Sequence, residues 1–271
     1  MITVVTPYFN PCGFETRRDL YWKWRDTLFQ RTDCKLITVE LAFGKQEIED
    51  SLCFQGTDDN FMWQKEALLN IGFESVCGET EYIAWIDNDI DVGFDLHAAI
   101  CKLRAHTYVQ LFKDVLYEDP KGDSIKKGLV WNCQRNRNYQ GAPGGAWMVK
   151  RKTGLKLYDR CIVGGGDQPL ADSMVGKRTG FFWDGASPAQ RKDFVRYGKT
   201  IERSVTYVDS RAIHGYHGDL NARQYIGRRR IVKDFHPYRD VKKVNGILQF
   251  TEFAPLRMRR QIKEYFYARN G

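Results

Sequence analysis

Over the first third of the chain, short apolar runs alternate with segments whose apolar residues recur at helical spacing, and this alternation narrows the fold more than any other feature. Residues 2–9 read as an apolar strand, broken by Asn10-Pro11-Cys12-Gly13. Residues 15–30 carry Leu20, Trp24 and Leu28 at helical spacing, residues 36–43 read as a second strand, and residues 61–76 place Trp63, Ala67, Leu68 and Ile71 on one helical face. Residues 81–90 form a third apolar run that ends in acidic residues; a helix over 97–109 and a short strand over 127–132 follow. A β-α-β-α-β opening predicts an α/β fold with a mostly parallel central sheet flanked by helices. Ligands of such sheets bind outside the carboxyl ends of the strands, so chemistry is expected after Phe9, Phe43 and Ile86. Glycines become frequent beyond Asn132, which reads as the second half (133–235) of one domain whose first half is 1–132. Residues 236–271 read as a basic C-terminal extension with an amphipathic helix over 256–268.

At 271 residues, with 42% hydrophobic and 14% aromatic side chains, the chain is long and apolar enough to bury a sizeable core, which excludes disorder over most of its length. No run approaches the roughly 20 apolar residues needed to cross a bilayer. The first residues enter a strand without a basic, cleavable leader pattern. Seven cysteines, odd in number, dispersed and never spaced as CxxC, argue against a disulfide framework or a zinc-thiolate site and fit a reducing cytoplasm. The net charge of +8 is concentrated in the C-terminal half. It suits nucleic acid, a phosphorylated glycan, a membrane surface or a nucleoside diphosphate, or else forms a solvated basic face.

Five segments carry candidate chemistry. Asp87-Asn88-Asp89 sets two carboxylates around one residue at the end of an apolar run. If the strand continues through Asp89, both point to the same side and can hold Mn²⁺ or Mg²⁺ beside a diphosphate. Gly164-Gly165-Gly166-Asp167 lets backbone approach a ligand closely and presents a carboxylate able to take a proton, or else begins a helix with Pro169 in its first turn. His214-Gly215-Tyr216-His217-Gly218 offers imidazoles to complete a metal site, His217 in preference to His214. Arg223 to Arg230 interleaves arginines with a tyrosine, a pattern for phosphate contacts at Arg223 and Arg228. Gly144-Gly145-Ala146-Trp147 leads into a strand; Gly145 can floor a sugar pocket and Trp147 can offer a stacking face. The absence of GxxxxGK[ST], GxGxxG and GxSxG patterns disfavours nucleoside triphosphatases, nicotinamide dehydrogenases and α/β-hydrolases.

In this order the segments resemble the GT-A glycosyltransferases, chiefly family-2-like and galactosyltransferase-like enzymes, over residues 2–230. The resemblance implies a nucleotide-sugar-binding half followed by an acceptor-side half. It also implies a nucleoside-diphosphate sugar donor, most often a UDP-sugar, and Mn²⁺ or Mg²⁺. It places Thr6, Pro7 and Tyr8 at the nucleotide, Glu40 toward uracil or ribose, and Gln64 and Lys65 at the border of the nucleotide pocket. Asp87 and Asp89 match the metal motif with Asn88 between them, Asp167 the base of an inverting displacement, and His217 the late histidine ligand. The basic C-terminal half suggests DNA carrying a hydroxylated or hydroxymethylated base, as in viral genomes, as acceptor; a glycan or a protein is the alternative. A non-catalytic nucleic-acid-binding protein and a nucleotidyltransferase are the rival classes.

Overall fold

The computed structural model describes residues 1–93, 95–177, 180–218 and 227–269. The strands are β1 (Ile2–Phe9), β2 (Lys35–Ala42), β3 (Leu52–Gln55), β4 (Tyr82–Ile86), β5 (Ile90–Asp91), β6 (Tyr108–Gln110), β7 (Asp114–Tyr117), β8 (Ser124–Lys127), β9 (Ala146–Lys150), β10 (Val205–Tyr207), β11 (Arg211–His214), β12 (Val241–Val244) and β13 (Ile247–Phe250). The helices are α1 (Glu15–Arg31), α2 (Lys65–Ser75), α3 (Leu96–Lys102), α4 (Leu129–Asn136), α5 (Asp167–Val175), α6 (Gly180–Gly185), α7 (Pro188–Gly198), α8 (Gly227–Ile231) and α9 (Leu256–Tyr267).

The central sheet has seven strands in the order β10-β6-β9-β4-β1-β2-β3, all neighbours parallel except those of β9, which runs antiparallel to β4 and β6. Period-two alternation divides its side chains between two cores. Val4, Ala84, Ile86 and Met148 pack with Tyr21, Trp24 and Leu28 of α1. Val5, Ile83, Trp85 and Trp147 pack with Leu69 of α2 and Leu170 of α5. Both faces are covered, which is why β1 and β4 are near-continuous apolar runs in the sequence. Helix α2 lies so close to β1 that a Cβ at Gly72 would come within 2.3 Å of Val5 Cγ1.

A second sheet, β5-β11-β7-β8, begins where the first ends: β11 pairs antiparallel with β5, opposing His214 to Ile90, and parallel with β7. The hairpin β12–β13 and α9 form a third core with Phe61, Met62, Ile162 and Phe235, into which Met258, Ile262, Tyr265 and Phe266 of α9 insert. The amphipathic stripe of α9 is therefore a packed face. Two basic residues of its polar side, Arg259 and Lys263, pair with Asp59 and Asp58.

Three sequence expectations are corrected. Residues 97–109 divide into α3 and the strand β6, whose three residues are held by neighbours on both sides, β9 and β10, rather than by local periodicity. Residues 127–132 close β8 and open α4. The third apolar run stops as β4 at Ile86, so the acidic motif lies in a turn between the two sheets instead of extending the strand.

Candidate active site and metal centre

A cavity of about 690 Å³ opens at the carboxyl ends of β1 and β4. Residues 7–12 and the acidic turn line it, together with Gly144-Gly145 ahead of β9, Asp167 at the start of α5, and both histidines at the end of β11. This is the crevice expected of a parallel sheet.

The acidic turn is fastened to β1. Thr6 Oγ1 donates to the Ile86 carbonyl (2.8 Å) and Asn88 Nδ2 to the Pro7 carbonyl (2.7 Å). Asp87 N donates to the Gly145 carbonyl (2.7 Å); Gly145 adopts φ +101°, and a Cβ there would strike Ile90 at 2.3 Å. Turn geometry then sends the two carboxylates to different partners.

Asp89 Oδ2 accepts from His217 Nε2 (2.9 Å) and from Arg17 (3.1 Å). One ligand atom from each of Asp89, His214 and His217 lies within 4.8 Å of the others. His214 is stacked on Tyr117 and on His217, with ring centroids 5.0 and 5.2 Å away. Its Nδ1 donates to the Gly215 carbonyl (3.0 Å), which leaves the lone pair on Nε2. Asp89 Oδ1 is buried with no hydrogen-bond partner among the described residues. Burial alone would raise the Asp89 carboxyl, but His214, His217 and Arg17 together hold it well below the usual carboxylate range. A buried, ionised carboxylate with an open oxygen beside two imidazoles fits a divalent cation. Two nitrogen donors favour Mn²⁺ over Mg²⁺, which prefers all-oxygen shells.

Asp87 stands outside this group. Its Oδ2 accepts from Lys65 Nζ (2.8 Å), and the same ammonium donates to Asp167 Oδ2 (2.8 Å). The expectation of two carboxylates on one side of a continuous strand is thereby replaced by one carboxylate grouped with the two imidazoles and one held in an ion network. Burial, with Asp167 and Asp89 adding to it, pushes the Asp87 carboxyl up against the pull of Lys65. Burial would lower Lys65, but Asp167 and Asp87 outweigh it and keep the ammonium charged. Asp167 begins α5 after Gly164 and Gly165, at φ +86° and +89°. A Cβ on Gly144 would lie 2.2 Å from Asp167 Cγ, so this carboxylate occupies space that only glycine leaves free. Glu66, behind Gly166, is buried with Oε1 unpartnered among the described residues, and burial raises its carboxyl.

Pro7 and Tyr8 line the cavity, Tyr8 donating its hydroxyl to Glu47 (2.7 Å), while Thr6 sits beneath it. Arg228 lines the cavity and donates to Tyr265 Oη (2.8 Å). Three expectations are not met. Glu40 faces inward, accepting from Glu47 N, Ile48 N and Ser51 Oγ at 2.7–3.1 Å, and so holds residues 47–51 instead of a ligand. Gln64 exchanges hydrogen bonds with the Leu248 backbone (2.8 and 3.1 Å), tying α2 to the C-terminal hairpin. Trp147 is fully buried and stacked on Trp85, not open to a sugar. Arg223 lies outside the described residues. The cavity also gathers Arg229, from the arginine-rich segment marked in the sequence, and Arg17, Trp63, Tyr117, Lys126, Phe266 and Arg269, none of which stood out as a site residue there.

No family model matches the chain, and no curated protein matches it in sequence. Among solved structures it is similar to the catalytic domain of Drosophila β1,4-galactosyltransferase 7 in complex with xylobiose, at 12% identity over 76% of this chain and 63% of that one, TM-score 0.37. It is also similar to glucosyl-3-phosphoglycerate synthase from Mycobacterium tuberculosis in complex with Mn²⁺, UDP-glucose and phosphoglyceric acid (12% identity, 90% and 83% covered, TM-score 0.43). A third is 4-diphosphocytidyl-2C-methyl-D-erythritol synthase from Anaerococcus prevotii (9%, 98% and 98%, TM-score 0.38). This chain thus spans less than two thirds of the galactosyltransferase domain.

Proposed function

We propose that this chain is a divalent-metal-dependent glycosyltransferase that moves a sugar from a nucleoside-diphosphate sugar, preferentially a UDP-sugar, to an acceptor hydroxyl with inversion. The observation that carries the reading is the joining, in one cavity at the carboxyl edge of the sheet, of an Asp-His-His metal group with a separate carboxylate, Asp167. When bound at Asp89, His214 and His217, the ion supplies positive charge that stabilises the departing diphosphate. The chain's own residues do the rest. The β1 end, from Pro7 to Asn10, walls the nucleotide. Asp167 Oδ accepts the proton of the acceptor hydroxyl. The new bond forms between acceptor oxygen and anomeric carbon as the bond from that carbon to the diphosphate oxygen breaks. Lys65 bonds to Asp167 and Asp87 at once and so fixes where the base stands.

The basic C-terminal half also suits a DNA acceptor. Against that version, Arg228, Arg229 and Arg269 turn into the cavity, and Arg259 and Lys263 are paired with aspartates. Inward-facing arginines favour a small anionic ligand over a duplex, which needs an outward basic face. The test is release of nucleoside diphosphate from a panel of nucleotide sugars with Mn²⁺, compared with chelator and with Asp89→Asn. Metal-dependent release that the variant loses is expected; equal release by the variant, or none from any donor, defeats the reading.

A further inference from the structure

One cation at the metal group has no part in the displacement described above. Arg17 stands in the first turn of α1, with its side chain 20% exposed, and lines the cavity. Its backbone is fixed. Phe14 N donates to Asn10 Oδ1 (3.0 Å), and the Phe14 carbonyl accepts from Asn10 Nδ2 (3.1 Å) and from Arg17 N (3.2 Å). The start of α1 is thereby tied to the end of β1, which on the transferase reading walls the nucleotide. The side chain is held more lightly. Among the described residues its fork makes one hydrogen bond, from Nη1 to Asp89 Oδ2 at 3.1 Å, and that oxygen also serves His217. Arg25 on the same helix shows the full grip, with Nη1 and Nη2 on the two oxygens of Asp50 at 3.1 and 2.6 Å.

Asp89 is thus sought by two cations. A guanidinium at hydrogen-bond distance neutralises the carboxylate that a divalent ion needs, and two positive charges on one carboxylate repel. With Asp89 11% and Arg17 20% exposed, little water is present to screen them. The fork also has an alternative partner of higher charge. On the transferase reading, the diphosphate drawn to the ion enters the crevice that Arg17 lines. Phosphate oxygens match the guanidinium fork better than one shared carboxylate oxygen does. Exchanging Asp89 for phosphate relieves the repulsion and engages the remaining donors of the fork.

We propose that Arg17 couples metal to nucleotide by changing partners: it competes with the divalent ion for Asp89 and, once the ion holds that carboxylate, turns to the diphosphate. The proposal rests on the metal group and nucleotide of the transferase reading above, but not on sugar transfer itself. By linkage, Mn²⁺ and nucleoside diphosphate strengthen each other's binding by the same factor. The experiment titrates Mn²⁺ calorimetrically into the full chain, then UDP into the Mn²⁺-saturated chain, for wild type, Arg17→Met and Arg17→Lys. Arg17→Met is expected to bind Mn²⁺ alone about tenfold more tightly, because the competing charge is gone. It is expected to bind UDP about tenfold more weakly, the loss of one charged hydrogen bond. Arg17→Lys keeps the charge and returns Mn²⁺ affinity toward wild type. A residue that only shaped the site would weaken both ligands when removed. Mn²⁺ bound no more tightly by Arg17→Met, or UDP bound equally well, overturns the proposal; metal-dependent release of nucleoside diphosphate by the wild type would leave the transferase reading standing after either result. The two opposite shifts in a chain that releases diphosphate from no nucleotide sugar support the exchange and sink the transferase reading. A wild-type chain that binds neither Mn²⁺ nor UDP sinks both.

Discussion

The two aspartates of one turn, separated by a single asparagine, live in opposite electrostatic surroundings. Asp87 shares one buried ammonium with Asp167, and burial keeps its carboxyl high. Asp89 has Arg17 and two imidazoles around it and stays ionised, with one oxygen open. Two residues of chain are enough to divide support from ligation when the backbone turns between them. On the proposed function, the paired carboxylates would act as one metal ligand and one strut for the base, in place of a symmetric clamp.

The comparison is tested most severely through its cations. Lys65→Met removes a buried ammonium from two partly buried carboxylates at once and is expected to cost about 3 kcal/mol in urea unfolding. Arg17→Met, on a partly open pair that His217 also serves, is expected to cost about 1 kcal/mol or less. Equal losses would erase the distinction between the two sides. Next comes Mn²⁺ affinity: Asp89→Asn is expected to lower it by about 100-fold or more, as for a ligand, and Asp87→Asn by about tenfold, the low end for an outer-shell group. A calorimetric titration in which both variants lose alike would restore the symmetric clamp. The smallest effect concerns pH. Burial raises Glu66, next to Lys65 in the chain, from 4.5 to about 8. The folded chain keeps this proton over a range in which the unfolded chain has released it. Its contribution to stability is therefore complete below pH 4.5 and is lost as pH rises toward 8. Glu66→Gln removes that decline, so its thermal midpoint is expected to gain a few degrees on the wild type between about pH 5 and pH 9. Parallel curves would place the titration elsewhere.

Much of the architecture is legible in sequence because it is written in period. The limits of β1, α1 and β2 fall within a residue or so of where apolar spacing puts them, and the acidic motif sits at the crevice. What escapes is set by partners far along the chain. β6 is three residues long and exists because β9 and β10 flank it. Glu40 and Gln64 are polar residues beside a candidate pocket, yet loop backbone and hairpin backbone satisfy them. The Lys65 bridge joins groups 22 and 102 residues away, and no local pattern announces it. Trp63, read from the sequence as part of an apolar helical face, lies ahead of α2, which starts at Lys65, and its place at the cavity beside Arg269 follows only from how α9 folds back. Glycine did carry a readable signal: Gly144 and the run before Asp167 mark where backbone gives way to a carboxylate.

The imidazoles reach Asp89 only because β11, from late in the chain, pairs with β5 at the far side of the acidic turn. The acidic motif lies in the first third of the sequence, whereas two of the three grouped donors arrive only with β11 and the residues after it. On the proposed function, an ion held by this group would join early and late segments of the chain, and protease resistance across that seam would report loading.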